Sequence, residues 1–265
     1  MKKSQKIGLV LSGGAAYGFA HIGVIKVLLK NNISIDIIAG TSMGSLIGGT
    51  FCAGVPIKEM ENIIKTFSRK NIVDLNPFFL TDSGLLYGKK VTKYLTKIIG
   101  DKKIEECEKP FCAVATDLNS GNKYVFEKGS LVDAIRASIS VPGIFKPIKI
   151  DNMCLVDGGI SDNIPVEDAR RLGADKVITV DVGSYYAIQN KLKTTVDVLI
   201  TSVCLLSANY AALKEDKGDV YIKIDQPGVN IYKFSSEEAL KSIEYGEKCA
   251  EEALPKIKEV LDIID

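Results

Sequence analysis

Short, strongly apolar runs alternate along the chain with longer segments whose apolar positions recur at helical spacing. The runs Ile7 to Leu11, Ile35 to Ala39, Phe111 to Thr116, Lys123 to Phe126, Lys176 to Val182 and Asp219 to Ile224 are expected strands. Helical spacing predicts helices over Tyr17 to Lys30, Gly44 to Cys52, Ile57 to Ser68, Lys89 to Ile99, Ser130 to Ala137, Pro165 to Arg171, Thr194 to Lys214 and Ser235 to Ile263. Strands separated by helices point to an α/β layered domain with a mostly parallel sheet. The turn Asn119-Ser120-Gly121-Asn122 between two strand runs is a hairpin signal and makes that sheet mixed. The C-terminal helix mixes Glu237, Lys241, Lys248 and Glu252 with apolar positions, as a surface helix on the sheet does.

Composition narrows the class. The 265 residues suit one domain, 1–265, with 46% apolar and 25% charged residues, ordinary for a globular enzyme. A formal charge of +1 provides no global field for nucleic acid. The best candidate for a membrane span, Val196 to Leu213, is broken by Asp197, Ser202, Ser207 and Asn209 and reads as a core helix. Met1 to Lys6 leads straight into a short strand with no secretory core, so a cytoplasmic location is expected, with any membrane contact peripheral and local. The six cysteines form no CxxC pair and sit mostly in apolar runs, as buried thiols of a reducing compartment do. Oligomeric state is left open.

The sharpest motif is Gly40-Thr41-Ser42-Met43-Gly44, a GxSxG between an expected strand and an expected helix. Such a turn strains the serine and exposes Oγ, and Gly40 and Gly44 remove side chains that would clash there. The helix start adds unpaired N–H groups and partial positive charge beside a forming oxyanion. Ser42 needs a base, and the chain has one histidine. His21 lies within a helical run and precedes the serine, the reverse of the α/β-hydrolase order, so it reads as a packed helix residue. Asp157, at the end of the apolar run Met153 to Val156 and followed by Gly158 and Gly159, is the best-placed carboxylate. The two glycines permit a sharp turn and close approach to another loop; taken without Ser42, the same residues read as an ordinary Asx turn.

A third feature is the strand–turn–helix stretch Ile7 to Gly18, with Ser12-Gly13-Gly14-Ala15-Ala16 at its turn. Its backbone N–H groups can form an anion nest, which in an esterase is an oxyanion hole. The competing reading is a dinucleotide loop. Ala15 stands where G-x-G-x-x-G requires its middle glycine, and no acid falls at the end of the second strand, roughly 20 residues on.

Together these blocks make the chain resemble the bacterial patatin-like phospholipases, a family of lipid acyl hydrolases. The resemblance spans roughly Lys6 to Gly173. It rests on the glycine-rich turn with Ala20-His21-Ile22-Gly23-Val24, the Gly-Thr-Ser-Met-Gly elbow, Ala115 to Gly121, Ala134 to Gly143, and Asp157-Gly158-Gly159. It implies a three-layer α/β/α sandwich, a Ser42–Asp157 dyad in place of a triad, no metal or cofactor, and an acyl-ester lipid substrate. By the same resemblance, Gly13, Gly14 and Ala15 form the oxyanion hole. The chain departs from the family pattern at Ala15, usually glycine, and at Tyr17, where arginine or lysine is common. Lower activity or unusual substrates are the expected consequence.

A free aspartate titrates near roughly 3.9, so a working base at Asp157 requires apolar surroundings that raise its pKa. Asp117 and Arg136, also in the matched blocks, are read as structural. Arg69 to Gly88 holds apolar residues outside any period, including Phe78, Phe79, Leu80, Leu85 and Leu86; a lid over the site and a loop folded on the core are equally consistent. Besides the acyl hydrolase, a nucleotide-binding α/β protein and a catalytically weak interaction protein remain as alternatives.

Overall fold

The computed structural model describes residues 5–68, 70, 72–78, 82–182, 195–229 and 233–263. The expectations for Arg69, Phe79, Leu80 and Thr194 lie outside the described residues.

Strands β1 (Ile7–Leu11), β2 (Ile37–Thr41), β3 (Phe111–Asp117), β7 (Lys176–Asp181) and β8 (Val220–Lys223) run parallel in the spatial order β8, β7, β1, β2, β3. Strands β4 (Lys123–Phe126), β5 (Ile148–Ile150) and β6 (Met153–Asp157) are antiparallel additions: β4 and β6 pair with β3, and β5 with β6. The inner strands read as unbroken apolar runs because both faces are covered. Leu9 and Leu11 belong to one core and Val10 to the other; Ile178 and Val180 likewise oppose Val177.

The larger core lies under α1 (Ala20–Lys30), α2 (Met43–Cys52), α5 (Leu131–Ser138) and α8 (Ser236–Val260), with α3 (Ile57–Lys65) and α4 (Lys89–Ile99) packed outside them. The smaller core is covered by α6 (Val166–Arg171) and by Ala211 of α7 (Thr195–Ala212). The result is three layers, with a mixed, mostly parallel sheet in the middle.

Two departures from the sequence reading have local causes. The second strand is shifted to Ile37–Thr41, because Gly40 stays in register with both neighbours, opposite Leu11 and Ala113, and Thr41 with β3, opposite Val114. The first helix is preceded by a tight 3-10 turn over Ala15–Phe19 rather than starting at Tyr17, with Tyr17 N–H bonded to Gly14 O. Of the cysteines, Cys52 and Cys112 are buried; the other four are partly exposed, and all six are free thiols.

Candidate active site

Sheet register brings the serine and the aspartate together. Residues Ala113 and Val114 pair with β2 and β4 at once, and Ala115 and Thr116 pair with β4 and β6 at once, so β2 and β6 share one edge of β3 end to end. Thr41 lies opposite Val114 and Asp157 opposite the next residue, Ala115. The residue that follows Thr41 therefore turns directly onto the end of β6. Ser42 Oγ donates to Asp157 Oδ2 at 2.6 Å, and both residues are buried.

The elbow that presents Ser42 is strained: its φ is +52° and ψ −121°, a conformation a side chain adopts only where its surroundings enforce it. Three hydrogen bonds do so. Ser42 N–H donates to Ser138 Oγ at 2.8 Å, Ser138 Oγ in turn donates to Val114 O, and Ser45 Oγ donates to Ser42 O at 2.7 Å. The flanking glycines are sterically required. A Cβ on Gly40 would lie 2.6 Å from Ser45 N, and one on Gly44 would overlap Leu11 O.

Asp157 is held from several directions. Its N–H donates to Ser140 O at 3.0 Å, its O accepts from Thr116 Oγ1 at 3.0 Å, and Oδ1 accepts from Gly159 N–H at 2.8 Å. Gly158 lets this turn lie flat on Val114, where a side chain would meet the Val114 carbonyl. No cation among the described residues pairs with the carboxylate. Burial raises its pKa to about 6, against the opposing effect of the bonds from Ser42 and Gly159. A carboxylate with that pKa can take a hydroxyl proton near neutral pH.

The glycine-rich turn lies against the elbow at both ends. A Cβ on Gly13 would be 3.1 Å from Ser42 Cβ, and one on Gly18 would overlap the Met43 side chain. Gly14 packs on Val182, and Ala15 adopts φ +46°, the left-handed region that glycine tolerates at less cost. The three amides are not equivalent: Gly13 N–H donates to Asn163 Oδ1 at 3.1 Å, whereas those of Gly14 and Ala15 have no partner among the described residues. Tyr17 is buried and donates its hydroxyl proton to Val229 O.

His21 is fully buried beneath this turn, 2.9 Å from Ser12 O through Nε2; burial lowers its pKa to about 4, so it is neutral near pH 7, and Ser42 Oγ bonds to Asp157 instead. Asp117 caps the hairpin, accepting from the N–H groups of Asn119, Ser120 and Cys154. Arg136 is buried and donates to Ser140 Oγ and to the carbonyls of Tyr87 and Lys146. Within Arg69 to Gly88, Leu86 and Asn76 are buried, while Leu75 and Phe78 are 65% and 66% exposed.

Reading along the chain gave no role in the site to Ser138, Asp162, Asn163 or α7. Asp162 is buried between Lys214 at 2.5 Å and Lys123 at 3.1 Å, and its carbonyl accepts from Thr41 Oγ1. Lys214 follows α7, which packs on the turn after Asp157. The only local signal was Asp162-Asn163-Ile164-Pro165, polar residues just before a helix start.

The family model of the patatin-like phospholipases matches residues 9–170, and the chain belongs to that family. Among curated proteins it is 37% identical over 179 residues to an uncharacterized NTE family protein of Mycobacterium tuberculosis, covering 68% of this chain and 49% of that protein. It is 37% identical over 185 residues to the lysophospholipase NTE1 of Candida albicans, covering 68% of this chain and 13% of that protein. The chain thus spans about half the length of the mycobacterial relatives and a small fraction of the fungal ones. Two solved structures share the fold. VipD from Legionella pneumophila superposes with TM-score 0.59 at 14% identity, over 98% of this chain and 67% of that one. Human GIVD cytosolic phospholipase A2, in complex with methyl gamma-linolenyl fluorophosphonate, superposes with TM-score 0.53 at 11% identity, over 98% and 59%.

Proposed function

We propose that the protein is a serine acyl-ester hydrolase acting on lipids, of the phospholipase, lysophospholipase or esterase type. The observation that carries the reading is the 2.6 Å bond from Ser42 Oγ to a buried carboxylate that pairs with no cation among the described residues. Family membership and the lysophospholipase relatives support the substrate class.

In this mechanism Asp157 accepts the Ser42 proton as Oγ attacks the ester carbonyl carbon. The carbonyl oxygen becomes an oxyanion held by backbone N–H groups of the glycine-rich turn. The C–O bond to the alcohol then breaks, the alcohol leaves with the proton from Asp157, and an acyl-Ser42 ester remains. Asp157 next takes a proton from water, hydroxide adds to the acyl carbon, and Ser42 leaves with that proton, releasing the fatty acid.

Contact with aggregated substrate is peripheral in this reading, since no described helix is long and apolar enough to cross a membrane. Exposed Leu75 and Phe78, and Val198, Leu199 and Leu206 on α7, are among the apolar groups available for it. Turnover of p-nitrophenyl esters of increasing chain length, measured for wild type, Ser42→Ala and Asp157→Asn, tests the proposal. Hydrolysis by wild type alone supports it, and hydrolysis surviving in Ser42→Ala refutes it. A rise in turnover as the ester passes from monomers to micelles supports the surface contact, and a flat profile removes it.

A further inference from the structure

Asn163 joins the glycine-rich turn to the segment that follows Asp157. It is buried, six residues past Asp157 and far in sequence from the glycine-rich turn. Its Oδ1 accepts the Gly13 N–H at 3.1 Å and lies 3.3 Å from where a Cβ on Gly159 would sit. Gly159 is the residue whose N–H binds Asp157 Oδ1. The asparagine oxygen thus sits between the amide of the serine-side turn and the turn that orients the base. Gly13 itself leaves no room for a side chain, because a Cβ there would meet both Asn163 Oδ1, at 2.5 Å, and Ser42 Cβ.

An amide donating to a side-chain oxygen is not free to donate to an oxyanion. The amides that follow, on Gly14 and Ala15, are free among the described residues. They lie on a turn pinned at one end by Asn163 and at the other by Gly18 against Met43. Ala15 holds φ +46° although alanine is disfavoured there, so something outside the residue keeps the turn in place.

Resting on the acyl-hydrolase reading, we infer that Asn163 is a positioning residue for the reaction: by binding Gly13 N–H it withdraws that amide from the oxyanion hole and fixes the turn so that Gly14 and Ala15 are the hole's donors. This replaces the three-donor hole of Gly13, Gly14 and Ala15 by a two-donor one with an asparagine behind it. Asn163 acts through the turn rather than on the substrate, so its contribution appears as the oxyanion forms and not on ground-state binding.

The test compares wild type with Asn163→Ala and Asn163→Ser, the latter polar but too short to reach Gly13. Three readouts are taken on a soluble ester: kcat, KM, and inhibition by a trifluoromethyl ketone, which forms a tetrahedral oxyanion on the serine. Loss of one aligned donor typically costs about a hundred- to a thousandfold, and a loosened turn less, so kcat is expected to fall about ten- to a hundredfold. The ketone should weaken by a similar factor, with KM within about twofold and the acid limb of the pH profile unmoved. Asn163→Asp, which keeps the acceptor oxygen, should recover part of kcat relative to Ala, and its new charge should move the acid limb to higher pH.

A folded Asn163→Ala or Asn163→Ser with kcat and ketone affinity within twofold of wild type overturns the inference, as does a change in KM alone. If Asn163→Ala does not fold, Asn163→Ser decides by the same criteria. Failure of the underlying reading shows separately, as ester hydrolysis that persists in Ser42→Ala.

Discussion

Two buried aspartates, Asp157 and Asp162, stand five residues apart on one turn, and their surroundings differ in kind. Asp162 is closed between two lysines and caps Ile164 N–H, so its charge is matched on all sides. Asp157 accepts from a hydroxyl and one amide and meets no cation among the described residues. Burial pushes its pKa to about 6 against the opposing bonds from Ser42 and Gly159. The comparison separates two uses of a buried carboxylate: one tied to two lysines is held in place, whereas one raised by burial to a pKa of about 6 can exchange a proton near neutral pH, as the proposed mechanism requires.

The largest expected effect removes the reacting group. Ser42→Ala should lower ester turnover by at least about ten-thousandfold, with an unchanged circular dichroism spectrum. Asp157→Asn should cost about a thousandfold or more in turnover while raising stability at pH 7. A folded-state pKa above the unfolded value means that the fold favours the protonated acid. Ionisation therefore costs stability as pH rises from about 4 through 6, and a shift of about two units is worth about 3 kcal/mol at most. Thermal melting at pH 4 and pH 7 checks this: the gain in Asp157→Asn should be present at pH 7 and largely absent at pH 4.

Asp162→Asn should do the opposite. Lys214 and Lys123 would lose their shared partner, and since both lysines keep some solvent contact the expected cost is about 2 kcal/mol. Turnover per folded molecule should fall less than tenfold. If Asp162→Asn stabilises the protein or Asp157→Asn destabilises it at pH 7, the contrast between the two carboxylates is wrong. The smallest effect is expected for Ala15→Gly. Relief of the left-handed φ is offset by the entropy glycine loses on folding, leaving a gain within about 1 kcal/mol, read from denaturant midpoints.

The same contrast marks how far the sequence is legible. Ser42 stands out because a serine between glycines at a strand-to-helix junction has few other uses, and Asp157 because two glycines follow an apolar strand. The inner strands are legible because burial on both faces makes them continuous apolar runs. What cannot be read is whatever depends on long-range register. That β2 and β6 meet end to end along β3 is a property of sheet pairing, and the chain offers no local trace of it. Asn163 and Lys214 take their roles from contacts with residues 150 and 52 positions away. The short β5 was missed because three partly exposed residues at a sheet edge carry no pattern of their own.

The most direct measurement is the rate at which a fluorophosphonate modifies Ser42 as a function of pH, with the adduct located by mass spectrometry. The account predicts that the wild-type rate rises through an apparent pKa near 6 and then levels, and that Asp157→Asn reacts slowly at every pH. Modification of another residue, or an Asp157→Asn variant that reacts as fast as wild type, would contradict it.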